Sequence, residues 1–231
     1  MQIEITGRPA FGMAIVQLNP GDQISAEAGA MVAMGSRLSV TTGFLGGRGG
    51  VLRWLKAAIT GLLRRWLAGE SLFVNTYEAT DGGGEVLLAP VVVGDVEHLR
   101  LDDTARVYLK ASAYLASSPG VSVTVRWGGL SMWFGGEGRF FLLCYGAGDL
   151  LFNAFGALER IEIDGSYIVD TGHVIAWQGD LSYALEGAGG LWSTLFSGEG
   201  VVIRFEGQGT VWLQTRNQPA FIDWITPYFP K

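Results

Sequence analysis

The sequence predicts an all-β protein: a β-sandwich or β-prism in one domain, built from three internal repeats. Glycine supplies 35 of the 231 residues, about twice its average share of roughly 7%, and no Gly-X-Y period accounts for the excess. Apolar segments of about four to eight residues lie between these glycine-rich turns, which is the pattern of short β-strands. A hydrophobic fraction of 48% is enough for all the segments to share one core.

A Gly-Glu pair marks each repeat and recurs at intervals of 67 and then 62 residues. The three copies are Gly69-Glu70, Gly136-Glu137 and Gly198-Glu199. Each copy opens a stretch that is typical of a β-hairpin. We place the repeats at about 1–90, 91–156 and 157–216 of a single domain, 1–231, with a C-terminal tail at 217–231. One repeat has too few apolar residues to fold alone, so the three are expected to share a core.

Within each repeat the elements follow one order, which is a strand, an acidic turn, a marker segment and a second strand. The turns at 19–22, 101–103 and 163–165 contain the Asp, Asn, Pro and Gly residues that turns favour. The marker segments start with a small residue and have an alanine four positions later; they are 29–34, 112–117 and 172–177. Strands are predicted after them at 38–42, 121–127 and 181–186. Residues 220–225 predict a short C-terminal helix that packs on the domain.

Composition excludes several functional classes. The net charge is −6 and the three lysines are Lys56, Lys110 and Lys231, which argues against a nucleic-acid-binding protein because phosphate contacts need a basic surface. The single cysteine, Cys144, excludes an internal disulfide, and its apolar neighbours favour a buried thiol in a reducing compartment. The first residues lack the pattern of a targeting segment, and no run of 18 apolar residues predicts a membrane span. We therefore expect a cytoplasmic protein.

Three segments carry a resemblance to a known family. Residues 20–34 (PGDQISAEAGAMVAM), 69–73 (GESLF) and 169–174 (VDTGHV) resemble the "altered inheritance of mitochondria" (mitochondrial biogenesis) family, and the likeness spans nearly the whole chain. Ala28 stands where the family often has proline.

The resemblance implies a β-sandwich like that of the tryptophan-RNA-binding attenuator protein, assembled into homo-oligomers. For mitochondrial members it implies a part in inner-membrane organisation, whereas bacterial members, which this chain resembles, have no established activity. RNA binding is not carried over, because neither a tryptophan-ligand motif nor a lysine-rich motif is present.

The first repeat contains an insertion that predicts an amphipathic helix at about 44–68. Compared with the third repeat it has 14 additional residues within 44–60. At 100° per residue, seven apolar side chains fall within about 120° of arc, the width of an amphipathic stripe. They are Val51, Leu52, Leu55, Ile59, Leu62, Leu63 and Trp66. Residues 28–69 contain six basic residues and no acid, so the rest of the chain carries a net charge of −12.

A basic amphipathic helix with two tryptophans is typical of a segment at a membrane interface. The sequence therefore predicts that the protein contacts an anionic membrane surface, or a protein partner, through this insertion. The residues assigned to that contact are Arg48, Arg53, Trp54, Lys56, Arg64, Arg65 and Trp66. The competing interpretation is that the helix packs its apolar stripe on its own sheet or on a sister subunit, with the arginines in solvent or paired with carboxylates.

Candidate chemistry is sparse, and the sequence favours a non-enzymatic scaffold without a cofactor. Asp170 and His173 are the alternative site, for a small ligand or a hydrolytic reaction. We expect His173 to lie on an alternating strand as a packed or hydrogen-bonded side chain. The two histidines and one cysteine have no metal-ligand spacing, although a site of carboxylates for a hard cation stays open. The recurrence of Glu70, Glu137 and Glu199 indicates a structural role.

Overall fold

The computed structural model describes residues 1–45, 73–80, 82–127, 140–187 and 201–229. Within these ranges the chain forms sixteen β-strands, three short 3-10 turns and one α-helix. The strands up to residue 110 are β1 (Gln2–Thr6), β2 (Met13–Leu18), β3 (Gln23–Glu27), β4 (Met31–Met34), β5 (Leu38–Phe44), β6 (Phe73–Ala79), β7 (Gly84–Leu88), β8 (Val96–Leu101) and β9 (Arg106–Lys110).

The later strands are β10 (Tyr114–Ser117), β11 (Ser122–Trp127), β12 (Phe140–Tyr145), β13 (Gly148–Asn153), β14 (Leu158–Asp170), β15 (Val174–Gly187) and β16 (Val201–Gln214). The 3-10 turns are Ala111–Ala113, Thr171–His173 and Thr226–Tyr228, and the helix α1 is Gln218–Ile225. The all-β class and the short C-terminal helix are therefore confirmed. The predicted helical insertion at 44–68 lies outside the described residues except for its first two positions.

The strands form where apolar and polar residues alternate, because successive side chains of a strand point to opposite faces. Strand β2 is an example: Ala14, Val16 and Leu18 are buried, while the residues between them are more exposed. Turn residues connect β2 to β3, and in this turn the carboxylate of Asp22 accepts a hydrogen bond of 2.9 Å from the backbone N–H of Asn19. Local sequence thus explains the strand and the inward face of β2.

The strands pair into three sheets. Sheet 1 has the order β1-β2-β7-β4, sheet 2 has β5-β6-β3-β10-β13-β8, and sheet 3 has β11-β12-β9-β15-β16-β14. All the strand pairings within these sheets are antiparallel. Sheets 2 and 3 each join strands that are far apart in the chain, through β3 with β10 and through β9 with β15.

Strand order recurs along the chain. The triplet β2-β7-β4 in sheet 1 has the same order as β8-β13-β10 in sheet 2, and β5-β6-β3 has the same order as β11-β12-β9. In the last part of the chain, the three long strands β14, β15 and β16 provide one triplet of each kind. Each strand contributes one half to the first triplet and, beyond a bend, its other half to the second triplet. The repeat boundaries at 1–90, 91–156 and 157–216 stay a prediction, since strand order alone does not define where a unit begins.

Glycine makes the bends in the long strands possible. Gly179 and Gly207 have φ values of +102° and +123°, which side chains with a Cβ rarely adopt. A Cβ on Gly207 would lie 2.1 Å from the carbonyl oxygen of Asp180 in the neighbouring strand. Sheet 3 can therefore fold over itself at this point without losing its ladder of hydrogen bonds.

Buried side chains form three cores. The first core is lined by sheets 1 and 2 and includes Val16, Ile24 and Tyr77, and the second is lined by sheets 2 and 3 and includes Leu142 and Phe152. The third core comes from sheet 3 alone. Among the described residues it has eight buried members, compared with fifteen and sixteen in the first and second cores, and is thus the smallest of the three in this part of the chain.

The second core contains Cys144, which is fully buried in β12. Burial in an apolar environment disfavours the thiolate and raises the pKa of Cys144 to about 12. The thiol is therefore protonated at neutral pH and behaves as a small apolar side chain. The prediction of a buried thiol is confirmed.

Burial also perturbs one carboxylate, Glu27 at the end of β3. Desolvation raises its pKa from 4.5 to about 7, so the folded protein holds this proton more tightly than the unfolded chain. Ionisation of Glu27 consequently destabilises the fold, from about pH 4.5 upward, until the full effect is reached above pH 7. A pKa change of this size corresponds to about 3 kcal/mol in a dry site, and partial solvent exposure reduces it to about 1–2 kcal/mol.

We therefore expect Glu27→Gln to raise the free energy of unfolding by about 1–2 kcal/mol at pH 8 and to leave it nearly unchanged at pH 4. Urea unfolding followed by circular dichroism at both pH values measures the difference. The exposed Glu78 of the paired strand β6 provides the control, because Glu78→Gln should change stability by less than about 0.5 kcal/mol at either pH. A gain for Glu27→Gln that is equal at pH 4 and pH 8 would contradict the role assigned to its charge.

Candidate functional site

A cleft of about 420 Å³ opens beside the third core and contains both residues of the predicted ligand site. Its walls come from β14, from the 3-10 turn at Thr171–His173 and from the end of β16. We call it the Asp170–His173 cleft. The polar side chains that line it include Glu159, Gln214 and Thr215, and the apolar ones include Tyr167 and Val169.

Asp170 ends β14 and shapes the turn that follows. Its Oδ1 accepts a hydrogen bond of 2.8 Å from the backbone N–H of Gly172. This cap favours a turn over a continued strand. His173 consequently lies in a 3-10 turn, and the prediction that it lies on a strand is wrong. A turn of the same kind, Ala111–Ala113, precedes β10.

His173 is held by the backbone of β16. Its Nδ1 lies 2.7 Å from the carbonyl oxygen of Gln214, and since a carbonyl only accepts, Nδ1 carries the proton. The amide nitrogen of Gln214 donates in turn to the carbonyl oxygen of Gly172 at 2.8 Å. The expectation of a hydrogen-bonded histidine is confirmed. This network fixes the ring and its tautomer, and it ties the turn to the last strand of sheet 3.

The hydroxyl group of Thr215, in the lining of the cleft, also has a structural role. Thr215 Oγ1 accepts a hydrogen bond of 2.9 Å from the backbone N–H of Ala157. The polar contacts of Asp170, His173 and Thr215 therefore all stabilise the fold around the cleft. Such an arrangement can bind a small polar ligand, whereas it does not resemble a nucleophile activated by an adjacent base.

The second histidine lies in an ion-pair cluster on β8 and β13. His98 Nε2 and Arg100 Nη1 both lie 2.9 Å from Oδ1 of the buried Asp149. A similar pair joins Arg8 to the buried Asp95 through its Nε at 2.9 Å. Each buried carboxylate is thus compensated by an arginine that reaches the surface, as buried charges require. These clusters stabilise connections between distant segments.

The structure does not bring the candidate metal ligands together. His98 lies on β8, His173 lies in the turn after β14, and Cys144 is buried in β12. Among the residues that the structure describes, no group of three or more His, Cys, Asp or Glu side chains could hold a metal ion.

The predicted membrane or partner contact lies outside the described residues. This applies to Arg48, Arg53, Trp54, Lys56, Arg64, Arg65 and Trp66, and also to Glu70, Glu137 and Glu199. The structure does describe the positions where the insertion leaves and rejoins the fold: Phe44 of β5 is the Cα partner of Phe73 of β6. The chain therefore leaves from the end of β5, one of the two outermost described strands of sheet 2, and returns at the adjacent start of β6.

The C-terminal helix differs from its prediction in one respect. Asn217 caps it by accepting a hydrogen bond from the N–H of Ala220, but none of its eight residues is buried. Phe221 packs edge-on against Phe155 at 5.5 Å, whereas Trp224 is 63% exposed. The expectation that this helix packs on the domain is thus confirmed at Phe221, whereas no residue of the helix is buried. In the described part of the chain, no helix is long and apolar enough to cross a membrane.

Sequence reasoning missed the outer strands of the sheets. Strand β4 ends sheet 1 and β14 ends sheet 3 among the described strands, and both expose apolar side chains. Tyr167 and Ile168 of β14 are 44% and 50% exposed at the rim of the cleft. The marker segment at 29–34 was the available sequence signal for an unpaired apolar edge. It has the composition of a buried strand, although β4 is exposed.

Comparison with known proteins places the chain in a family. Residues 3–216 match the family model for mitochondrial biogenesis AIM24. An uncharacterized protein from Streptococcus pyogenes serotype M6 is 30% identical over 240 residues, covering 100% of this chain and 92% of that protein. A crystal structure of a Streptococcus pyogenes protein superimposes with a TM-score of 0.78 at 26% identity and covers 99% of each chain. As the resemblance in its sequence predicted, the chain belongs to the mitochondrial biogenesis AIM24 family.

Proposed function

We propose that this protein is a non-enzymatic scaffold that contacts an anionic membrane surface through the basic segment 46–72. The observation that carries the proposal is the pairing of Phe44 with Phe73. This pairing attaches the segment to neighbouring ends of β5 and β6, at one side of a six-stranded sheet. A segment attached there can reach an external surface while the cores of the protein stay intact.

The chemistry of the segment supports a membrane surface as the target. Five of the basic residues lie in it, together with two tryptophans, in a chain whose net charge is −6. Each arginine near an anionic bilayer contributes about 1 kcal/mol, and tryptophan side chains favour the headgroup region. The acidic remainder of the chain would be repelled by the same surface, so the segment would also orient the protein.

A small-ligand or hydrolytic function at the Asp170–His173 cleft is the second candidate. The volume of about 420 Å³ favours it, since pockets for small molecules start at about 300 Å³. The hydrogen bonds that Asp170 and His173 already make to the backbone favour a structural role for these two residues. We therefore rank the scaffold first.

Co-sedimentation with lipid vesicles tests the membrane proposal. We expect the native protein to pellet with vesicles of phosphatidylcholine and phosphatidylserine and to stay in solution with phosphatidylcholine alone. The triple variant Arg53→Glu, Arg64→Glu, Arg65→Glu should lower binding to the anionic vesicles by about 100-fold or more, because three favourable contacts of about 1 kcal/mol become repulsive.

The matched control reverses three exposed arginines elsewhere on the surface, Arg106→Glu, Arg126→Glu and Arg216→Glu. It changes the net charge by the same amount and should keep most of the binding. Equal loss in both triple variants would show that only total charge matters and would overturn the assignment to segment 46–72. Binding that ignores the charge of the lipid would overturn the membrane proposal itself.

A further inference from the structure

Among the described strands, two sheet edges have no paired neighbour at a position where the recurrent strand order would place one. The last strand of the triplet β5-β6-β3 pairs with β10, and the last strand of β11-β12-β9 pairs with β15. The third triplet of this kind ends on the second half of β14, which is the outermost described strand of sheet 3. Strand β4 holds the place in its triplet that β10 and the first half of β15 hold in theirs, and it is likewise outermost among the described strands of sheet 1.

Strand β4 has the sequence of a central strand but the exposure of an edge. The equivalent segments read YLAS in β10, VIAW in β15 and MVAM in β4. The first two are buried throughout, whereas all four residues of β4 are exposed, with Val32 at 57%. An exposed apolar edge strand favours pairing with another chain, and proteins that avoid such pairing place charges or proline there. Strand β4 has neither.

The second half of β14 is exposed at a position where the equivalent strands β3 and β9 are buried. Tyr167 occupies the position of Ile24 in β3 and Val107 in β9, both of which are fully buried, and yet Tyr167 is 44% exposed. The first and second cores are each completed by side chains of the triplet that pairs with them. These are Leu115, Ala116 and Leu151 in the first core, and Ile175, Ala176 and Trp212 in the second.

The third core has no such contribution among the described residues. The Asp170–His173 cleft lies beside it, bordered by Tyr167 and Val169 of β14. The cleft is thus located where a further triplet of strands would complete the core.

We infer that copies of this chain assemble head to tail, with β4 of one copy paired antiparallel to the second half of β14 of the next. The two internal junctions set the register: Ala116 lies opposite Ala26, and Ala176 lies opposite Leu109. The same register places Ala33 opposite Val169 and Met34 opposite Ile168. Val32 of one copy then enters the cleft of the next, next to Tyr167, as Leu115 and Ile175 enter the first and second cores.

We assign the partner strand to a second copy of this chain. Each chain has one exposed strand equivalent to β10, which is β4, and one exposed strand equivalent to β3, which is the second half of β14. The interface joins two different surfaces, so it is heterologous and generates either a closed ring or an open filament. Backbone hydrogen bonds along the paired edges would supply affinity, and the apolar side chains in the cleft would supply specificity. The inference goes beyond the proposed scaffold function and requires no lipid.

Light scattering coupled to size-exclusion chromatography, in buffer without lipid, tests the inference. We expect the native protein to have a mass of several chains, above the 24.8 kDa of one chain, either fixed for a closed ring or rising with concentration for an open filament. Val32→Lys blocks β4 and Tyr167→Lys blocks β14, and each variant alone should have the mass of one chain. Both side chains are exposed in the single chain, so each variant should keep its circular dichroism spectrum.

Mixing the two blocked variants gives the decisive result. One intact β4 and one intact β14 remain in the mixture, so we expect a species of two chains that grows no further. Val40→Lys, at an exposed position of β5, is the matched control and should assemble like the native protein. The inference is overturned by a native protein that is a single chain at every concentration, by a mixture that stays at one chain, or by a Val40→Lys protein that fails to assemble. None of these results depends on vesicle binding, which tests the proposed function separately.

Discussion

Gly94→Ala is expected to destabilise the fold by about 3 kcal/mol or more. A Cβ at this position would lie 1.8 Å from the carbonyl oxygen of Ala154 and 2.8 Å from the backbone nitrogen of Gly156. These are backbone atoms, so the connection itself would have to move, as in a severe case of overpacking. Movement would break the hydrogen bonds from Gly12 N–H to Gly94 O at 2.7 Å and from Asp95 N–H to Gly156 O at 2.9 Å.

Gly43→Ala is the matched control for this effect. Neither glycine has a positive φ, and a Cβ at Gly43 would have no atom within 4 Å. The control should change stability by less than about 0.5 kcal/mol. Urea unfolding followed by circular dichroism, at one fixed protein concentration because assembly would shift the midpoint, measures both variants. Equal stability of the two would contradict the tight backbone approach at Gly94.

Trp212→Ala is expected to cost about 3–5 kcal/mol, the range for removing a large aromatic side chain from a core. Trp212 is 1% exposed and is among the largest buried side chains. Its ring packs edge-on against Phe152 at 5.9 Å and lies under the guanidinium of Arg160 at 5.8 Å. It belongs to β16 but completes the second core. Its loss should therefore weaken the junction between sheets 2 and 3 as well as its own strand.

Trp224→Ala provides the comparison within the same chain. Trp224 lies on α1, is 63% exposed and contacts only other residues of the C-terminal segment in its ring pairs with Phe221 and Tyr228. We expect its removal to change stability by less than about 1 kcal/mol. Far-ultraviolet circular dichroism is the suitable probe, because both substitutions alter tryptophan fluorescence. A large loss for Trp224→Ala would show that α1 contributes to the fold more than its exposure indicates.

Most of the architecture could be predicted from sequence because it depends on local patterns. Alternating apolar residues and glycine-rich turns predicted the strands and the all-β class, and the segments at 20–34 and 169–174 predicted the family. The C-terminal helix was also predicted, from residues 220–225, and its start at Asn217 and Pro219 has residues typical of that position.

The candidate site was predicted less completely. Asp170 and His173 do lie in one cleft, but the turn between them depends on a cap from Asp170 and on the backbone of Gln214. The second of these partners comes from a strand about forty residues later, which no local pattern indicates. The exposure of Trp224 was missed for a related reason: an apolar helix has the same sequence whether or not a surface exists for it to cover.

By itself, the sequence determined the all-β class, most of the short strands and the resemblance to the family, because backbone sterics and the alternation of side chains act over a few residues. It did not determine every turn, since the turn predicted at 163–165 lies inside the continuous strand β14. Only the tertiary structure decided which strands are central and which are edges. The segments YLAS and MVAM have similar patterns, yet β10 is enclosed between β3 and β13, whereas β4 pairs only with β7 among the strands that the structure describes. The burial of a strand depends on whether a strand from a distant part of the chain pairs with it, and that pairing is a property of the whole fold.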